Sequence, residues 1–372
     1  MPKATQNAAT QAYWRTLWQT RSLKSSALLP QAWLYQTVVC LRKMAYRKGW
    51  LTSDSAPVPV IVVGGLLVGG VGKTPLVAHL VQALQQAGFQ TGIISRGYTV
   101  NGQSNTQARA VTQHSLPADV GDEPVLLQMK TQRPVWVGRN RAQTAAALCA
   151  AHPQCNVIVC DDGLQHYALQ RDVALAVMDD RGVGNGWCLP AGPLRESAAS
   201  LKTVDAVIWH HRSSRTDKAA QPHPSSGNPN EFDVTSHISA AYDLFDVNTR
   251  QPLAFFADKA VVGMAGIALP EVFFAMLAAQ NIHGDMLALP DHYDFDDAFV
   301  HELLQKPANH YLMTEKDAVK LRHLIAPAQR VGKTFWVVPL ELVEQNSLAQ
   351  LTQFVLNKIQ TIHATKIDSK QE

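Results

Sequence analysis

What this 372-residue chain lacks narrows its reading before any motif is considered. No CxxC pair occurs among its five cysteines (Cys40, Cys149, Cys155, Cys160 and Cys188), and their number is odd. That argues against a zinc site and for a reducing compartment in which most thiols pack as small apolar side chains. No apolar run is long and clean enough to cross a bilayer comfortably. The candidate, residues 25–41, is marginal at 17 residues and contains Pro30, Gln31 and Gln36. No compact apolar region or small-residue cleavage site follows the start, so a cleaved signal peptide fits poorly, while a mitochondrial presequence stays open as an alternative. Internal repeats are absent, and no nucleic-acid partner is expected.

The most informative absence is of one charge sign. Residues 1–50 contain eight Lys or Arg and no acid, the first carboxylate being Asp54. After position 50, 25 basic residues face 30 acidic ones, so the net charge of +3 conceals a balance of about −5 over the rest. Four of the eight tryptophans (Trp14, Trp18, Trp33 and Trp50) also fall in the basic segment. Cations mixed with Trp and Tyr suit the headgroup region of an anionic membrane. Leu34, Val38, Leu41 and Ala45 share one helical stripe, with Lys43 and Arg47 elsewhere on the circumference. Residues 1–56 therefore read as an interfacial helical segment, the alternative being a first helix packed on its own domain.

The hydrophobic content of 46% is ordinary for a globular chain. Residues 57–211 alternate apolar runs with amphipathic stretches, the pattern of a parallel sheet flanked by helices. Strands are expected at 58–63, 91–95, 134–137, 157–160, 173–178 and 206–209, with helices at 73–87 and 123–130. Residues 212–234, polar and rich in Pro, Ser and Gly, read as a linker. A second, smaller α/β unit follows at 235–364, with strands at 260–264, 286–289, 311–314 and 335–338 and a helix at 270–280. A frayed tail is expected at 365–372.

The strongest local signal is the β-branched run at 58–63 followed by Gly64-Gly65-Leu66-Leu67-Val68-Gly69-Gly70-Val71-Gly72-Lys73-Thr74. A buried strand, a glycine-rich turn and Gly-Lys-Thr opening a helix form a phosphate-binding loop. The first Gly of the commonest spacing would fall at position 67, which is Leu, so the match is to the double-glycine form GGxGKT. Gly69, Gly70, Val71 and Gly72 would present backbone N–H groups to phosphate, Lys73 would reach the β- and γ-phosphates of ATP, and Thr74 would hold Mg²⁺. Asp161 and Asp162 end the apolar run at 157–160, where a parallel strand meets the ligand edge, and suit the metal site. The acidic turn Gly121-Asp122-Glu123-Pro124 is, taken alone, equally suited to capping a helix.

In chain order, the stretches VGGLLVGGVGKTP (63–75), SRGY (95–98), GDEP (121–124), GRNRA (138–142), DDGLQHYALQRD (161–172), PAGPLRE (190–196), DHYDF (291–295) and MTEKDAVKL (313–321) resemble the lipid A disaccharide 4′-kinases, or tetraacyldisaccharide 4′-kinases. The resemblance implies ATP- and Mg²⁺-dependent phosphorylation of the 4′-hydroxyl of a tetraacylated glucosamine disaccharide 1-phosphate. It places that reaction at the cytoplasmic face of a bacterial inner membrane, with the protein peripheral or monotopic. It assigns Lys73 and Thr74 to phosphates and metal, Asp161 and Asp162 to the second nucleotide motif, and Asp122 to the base with His292 as partner. Gly65, Leu67 and Val71 depart from the family pattern, which has Asn at the first and Thr or Ser at the other two. Arg96 and Tyr98 suit either a βα turn or a substrate contact. Arg195, beside Glu196 in a Gly-Pro loop, could engage a substrate phosphate, and His166 could face the site or tie down its own turn. Glu315-Lys316-Asp317 reads as a solvated, internally paired cap. The rival reading is a membrane-associated switch ATPase of the MinD/ParA type, which places a signature Lys directly before the double glycine; position 68 here is Val.

Overall fold

The computed structural model describes residues 10, 12–97, 107–212, 225–326 and 332–368. Fifteen strands lie among them. The first eight are β1 (Val60–Gly65), β2 (Thr91–Ser95), β3 (Arg109–Val111), β4 (Val135–Val137), β5 (Val157–Asp161), β6 (Val173–Asp179), β7 (Ala206–Arg212) and β8 (Glu231–His237). The rest are β9 (Ala240–Asp243), β10 (Arg250–Pro252), β11 (Val261–Ala265), β12 (Gly284–Ala288), β13 (His310–Thr314), β14 (Thr334–Val338) and β15 (Glu341–Leu342).

One sheet runs in the order β15-β8-β7-β6-β1-β5-β2-β4-β3, parallel except at its two edge strands. Every residue of β1, β5 and β6 is buried, because helices cover both faces of a parallel sheet and leave no wet side for polar alternation. The helix Lys73–Gln86 buries Leu76, Val77, Leu80, Val81 and Leu84, a stripe at three- and four-residue spacing that fixes its start against the end of β1. Since β5 and β6 flank β1, their C-terminal ends open beside the loop that follows β1. This is where ligands bind in open parallel sheets.

The second sheet, β10-β9-β14-β13-β11-β12, has its own core, in which Tyr311 stacks on Phe335 with ring centroids 4.9 Å apart. Three elements lie elsewhere than the sequence suggests, one of them β15, which falls within 235–364 yet pairs with β8 in the first sheet. Glu231–Val234, read as linker, opens β8, a strand of the first sheet. The C-terminal helix Asn346–Asp368, read as part of the second unit up to 364, packs on the first sheet through Leu348, Leu351, Val355 and Ile359. The flank beside β8 offers that stripe Phe232 and Val234. Residues 365–368 continue this helix, and 369–372 lie outside the described residues.

The helix Leu29–Arg47 lies on the first domain through Tyr35, whose hydroxyl donates to the Arg195 carbonyl at 2.9 Å, and through Lys43, 3.3 Å from Glu196. Its other side exposes Trp33, Leu34, Val38 and Leu41. Among the described residues no helix is long and apolar enough to cross a membrane.

Candidate active site

The loop between β1 and the helix Lys73–Gln86 is shaped from beneath. Leu67 and Val71, where polar residues would be expected of the resembled family, are buried in the core, and Leu67 bridges to Leu194. Apolar packing thus fixes the loop entry in place of hydroxyl hydrogen bonds. Gly72 has φ +77°, and a Cβ there would collide with the imidazole of His210, so only glycine fits.

Three carbonyls of the loop are held by side chains at the ends of β6 and β7. Arg181 donates to Val68 O at 3.2 Å, Arg212 to Gly70 O at 3.0 Å, and His210 Nδ1 to Val71 O at 3.1 Å. Burial, reinforced by Arg212, pushes the His210 pKa down to about 4, so the ring is neutral and its Nε2 accepts from Ser236. Asp179, itself buried, clamps both arginines at 2.8 and 2.9 Å. Holding the carbonyl side of the loop leaves its amide side toward the cavity that Gly69, Gly70 and Lys73 line, the arrangement an anion needs.

The two acids after β5 are differently placed. Asp162, in the left-handed region at φ 52°, turns its carboxylate to Lys73 (3.2 Å) and Arg195 (3.0 Å). Burial would raise its pKa, but these two cations hold it well below the usual carboxylate range. Burial would likewise lower Lys73, but Asp162, Glu123 and Asp161 together outweigh it, so the lysine stays charged. Asp161 is buried with one oxygen 3.4 Å from Ser95 Oγ and the other, Oδ1, without a partner among the described residues. Burial and the nearby Glu123 push its pKa up to about 7. An orphaned, desolvated carboxylate oxygen beside a phosphate loop is the donor a hard divalent cation requires, with the Thr74 hydroxyl as the second. Among the described residues no cluster of three or more His, Cys, Asp or Glu could hold a metal alone, so phosphate and water must complete any such shell.

Across the cavity the second domain brings His292 to Asp122, with Nδ1 at 2.9 and 3.1 Å from the two carboxylate oxygens. Asp122 opens the helix Asp122–Thr131. Burial would raise its pKa, yet Lys316, the His292 hydrogen bond and Lys320 hold it well below the ordinary range. The same hydrogen bond raises His292 above an ordinary histidine against the effect of burial. His292 also has positive φ, at 56°, so its backbone is held in a sparsely occupied conformation to make this contact.

Beside Asp162 a basic recess is lined by Arg42, Arg96, Arg139, Arg195 and His166, with Tyr35 of the long N-terminal helix at its edge. His166 has a buried Nε2 without a partner among the described residues, and burial together with Arg141, Arg42 and Arg96 pushes its pKa down to about 4. On the other side of the loop, Ile238, Ile267, Leu269, Phe273 and Met276 line an apolar cavity.

Of the residues singled out from sequence, Gly69–Thr74, Asp161, Asp162, Asp122 and His292 meet at one end of the sheet, and Arg96, Arg195 and His166 share the recess. Glu196 does not join them. It is buried, accepting from Tyr167 at 2.6 Å and pairing Lys43, and so ties the N-terminal helix down. Tyr98 lies outside the described residues. Sequence reasoning missed Asp179, Arg181, His210 and Arg212, although each stands at the end of an apolar run as Asp161 does. It misread Lys316, which is 17% exposed and pairs Glu123 at 3.0 Å.

The family described as tetraacyldisaccharide-1-P 4′-kinase matches residues 24–360. A tetraacyldisaccharide 4′-kinase of Herminiimonas arsenicoxydans is 41% identical over 348 residues, covering 91% of this chain and 94% of that protein. One from Polaromonas naphthalenivorans is 44% identical over 307 residues, covering 82% and 84%. The crystal structure of LpxK from Aquifex aeolicus in complex with ATP superposes with a TM-score of 0.72 at 24% identity, over 91% of this chain and 100% of that one. The chain belongs to the tetraacyldisaccharide-1-phosphate 4′-kinase family.

Proposed function

We infer that this chain transfers the γ-phosphoryl group of ATP to the 4′-hydroxyl of a tetraacylated glucosamine disaccharide 1-phosphate, a step of lipid A biosynthesis. The observation that carries this reading is the Asp122–His292 pair, set across one cavity from Gly69, Gly70 and Lys73. A hydroxyl entering between them meets a proton acceptor on one side and the phosphate loop on the other. The Pγ–O bond to ADP breaks as the new O–P bond forms, and the hydroxyl proton passes to the Asp122–His292 pair. Thr74 and Asp161 would hold Mg²⁺, which supplies charge neutralisation on the phosphates. Asp162, engaged by Lys73 and Arg195, positions those two cations. The apolar cavity suits an adenine ring, and the basic recess suits the acceptor's 1-phosphate.

The recess is edged by Tyr35 and Arg42 of the helix that exposes Trp33, Leu34, Val38 and Leu41, so an acceptor whose chains stay in the bilayer could present its headgroup there. This favours a peripheral or monotopic station on an anionic membrane surface, the cytoplasmic face of the bacterial inner membrane. The switch-ATPase reading is not favoured, since Val68 replaces its signature Lys. The test is incubation with γ-labelled ATP and a panel of lipid A precursors. Label should appear on the tetraacylated disaccharide 1-phosphate; release as inorganic phosphate alone would overturn the kinase reading.

A further inference from the structure

The groups that brace the phosphate loop also decide which of its amides face the cavity. A trans peptide is planar, so the carbonyl of one residue and the N–H of the next point in opposite directions. Arg181 holds Val68 O, Arg212 holds Gly70 O and His210 holds Val71 O. The N–H groups turned the other way are therefore those of Gly69, Val71 and Gly72. Gly69, Gly70 and Lys73 line the cavity beside the Asp122–His292 pair, and Val71 and Gly72 the adjoining apolar one.

This stretch needs such a grip. Upstream, the Val68 N–H is tied to the Pro193 carbonyl at 3.0 Å, and downstream the helix Lys73–Gln86 takes over. Between them three of four residues are glycine, with Gly69 at φ +90° and Gly72 at φ +77°, so a peptide plane turns there at little cost.

Each holding group is itself fixed. His210 and Arg212 are two apart on β7 and share the face toward the loop, whereas His211 between them points away, to Asp180 and Asp233. Arg181 meets both oxygens of Asp179, with Nε at 2.9 and 3.1 Å, and Arg212 takes Oδ2 at 2.9 Å. His210 is buried beneath Gly72. A carbonyl only accepts, so Nδ1 carries the ring proton, and the neutral ring leaves Nε2 bare for the Ser236 hydroxyl at 2.8 Å. Ser236, fully buried on β8, thus fixes the tautomer from the next strand.

Resting on the phosphate-loop reading above, we propose that His210, Arg181 and Arg212 are positioning residues for phosphoryl transfer, which act through the backbone by aiming the Gly72, Gly69 and Val71 amides at the β- and γ-phosphates. The donors then stand preorganised where charge gathers, and no peptide has to turn as the bond to ADP breaks.

The test compares near-isosteric variants that differ in one donor. A non-hydrolysable ATP analogue, ADP and AMP, each with Mg²⁺, are titrated calorimetrically into the full chain. His210→Leu should weaken the analogue and ADP by about threefold to tenfold, the scale of one lost hydrogen bond, and AMP by less than about twofold. It should lower kcat by about 10- to 100-fold, short of the loss of a whole oxyanion donor. His210→Asn, with an amide where Nδ1 stood, should restore both to within about threefold of wild type. Arg181→Lys should likewise outperform Arg181→Met, in which Asp179 keeps Arg212 as its partner. Nitrogen-15 spectra of the wild-type ring should show a protonated Nδ1 and a bare Nε2 at neutral pH. Equal losses in the Leu and Asn variants, or losses that extend equally to AMP, would mean that His210 only fills space and would overturn the proposal, as would a bare Nδ1. If His210→Leu does not fold, the Arg181 pair decides by the same comparison. Variants with wild-type affinity and turnover overturn the proposal alone, whereas a wild-type chain that binds neither the analogue nor ADP overturns the phosphate-loop reading beneath it.

Discussion

Lys73 stands 3.2 Å from Asp162, and both remain ionised because the surrounding opposite charges together outweigh burial: Asp162, Glu123 and Asp161 for the lysine, Lys73 and Arg195 for the carboxylate. Lys73→Ala should therefore abolish transfer to any acceptor while the chain stays folded; near-normal turnover at saturating ATP would sink the loop assignment. At the other side of the cavity the pH dependence has a definite sign. Asp122 is held well below the usual carboxylate range and adds no limb near neutrality. His292 is raised, chiefly by its hydrogen bond to Asp122, so the pair's mutual stabilisation is full below an ordinary histidine pKa and is lost as pH rises through the raised value. The dyad accepts a proton only once His292 is neutral, so the acid limb of kcat/KM should lie above about 6.5. Asp122→Asn should lower the rate and move that limb down; a limb that stays in place counts against the pair. These two residues are 170 positions apart, and no spacing rule could join them. Only the resemblance to a family paired them in advance, whereas Lys73 was readable from the glycine-rich loop after β1 and Asp161 from its place at the end of the buried β5.

Elements buried on both faces were legible for one physical reason: continuous β-branched runs such as β1, β5 and β6 have no solvated side to dilute the signal. The half-wet strand β8, with the pattern EFDVTSH, the short edge strands β3, β10 and β15, and the four-residue β9 carry too little apolar sequence to stand out from loops. The braces on the loop were hidden for another reason. Arg181, His210 and Arg212 reach it only because β6 lies beside β1 and β7 beside β6, a fact of strand order. The loop entry itself offers a test at this scale. Leu67 is 1% exposed and sits where a family pattern of Thr or Ser would supply hydroxyls. Leu67→Ala should lower the unfolding free energy by about 2–5 kcal/mol, as for other fully buried leucines, in denaturant titrations. Leu67→Thr should destabilise too, because its hydroxyl enters an apolar site shaped around Leu194. A loss below about 1 kcal/mol for Leu67→Ala would mean the loop is not held by core packing.

Over the whole molecule, the N-terminal segment touches both domains. Trp18 donates to the Pro190 carbonyl of the first at 2.9 Å, and Arg15 reaches Ala268 O at 2.8 Å and Glu271 at 2.7 Å in the second. Deleting residues 1–50 would thus remove packing, the domain bridge and the edge of the basic recess together, and an activity loss would have no single meaning. Surface variants separate these roles. The eight cations before Asp54 should draw the intact protein to anionic vesicles at low ionic strength, and salt should weaken that attraction by screening. Part of the binding should survive salt, because Trp33, 63% exposed, and the stripe Leu34, Val38 and Leu41 offer apolar burial that salt does not screen. The triple variant Leu34→Ser, Val38→Ser, Leu41→Ser touches no hydrogen bond to the first domain and should fold and bind ATP as before. It should lose the salt-resistant fraction in flotation, and turnover of bilayer-embedded acceptor should fall well below turnover of acceptor dispersed in detergent. If the intact protein fails to float with anionic vesicles at low salt, the stripe is an ordinary exposed helix face, and the acceptor must reach the basic recess without help from a membrane-bound N-terminus.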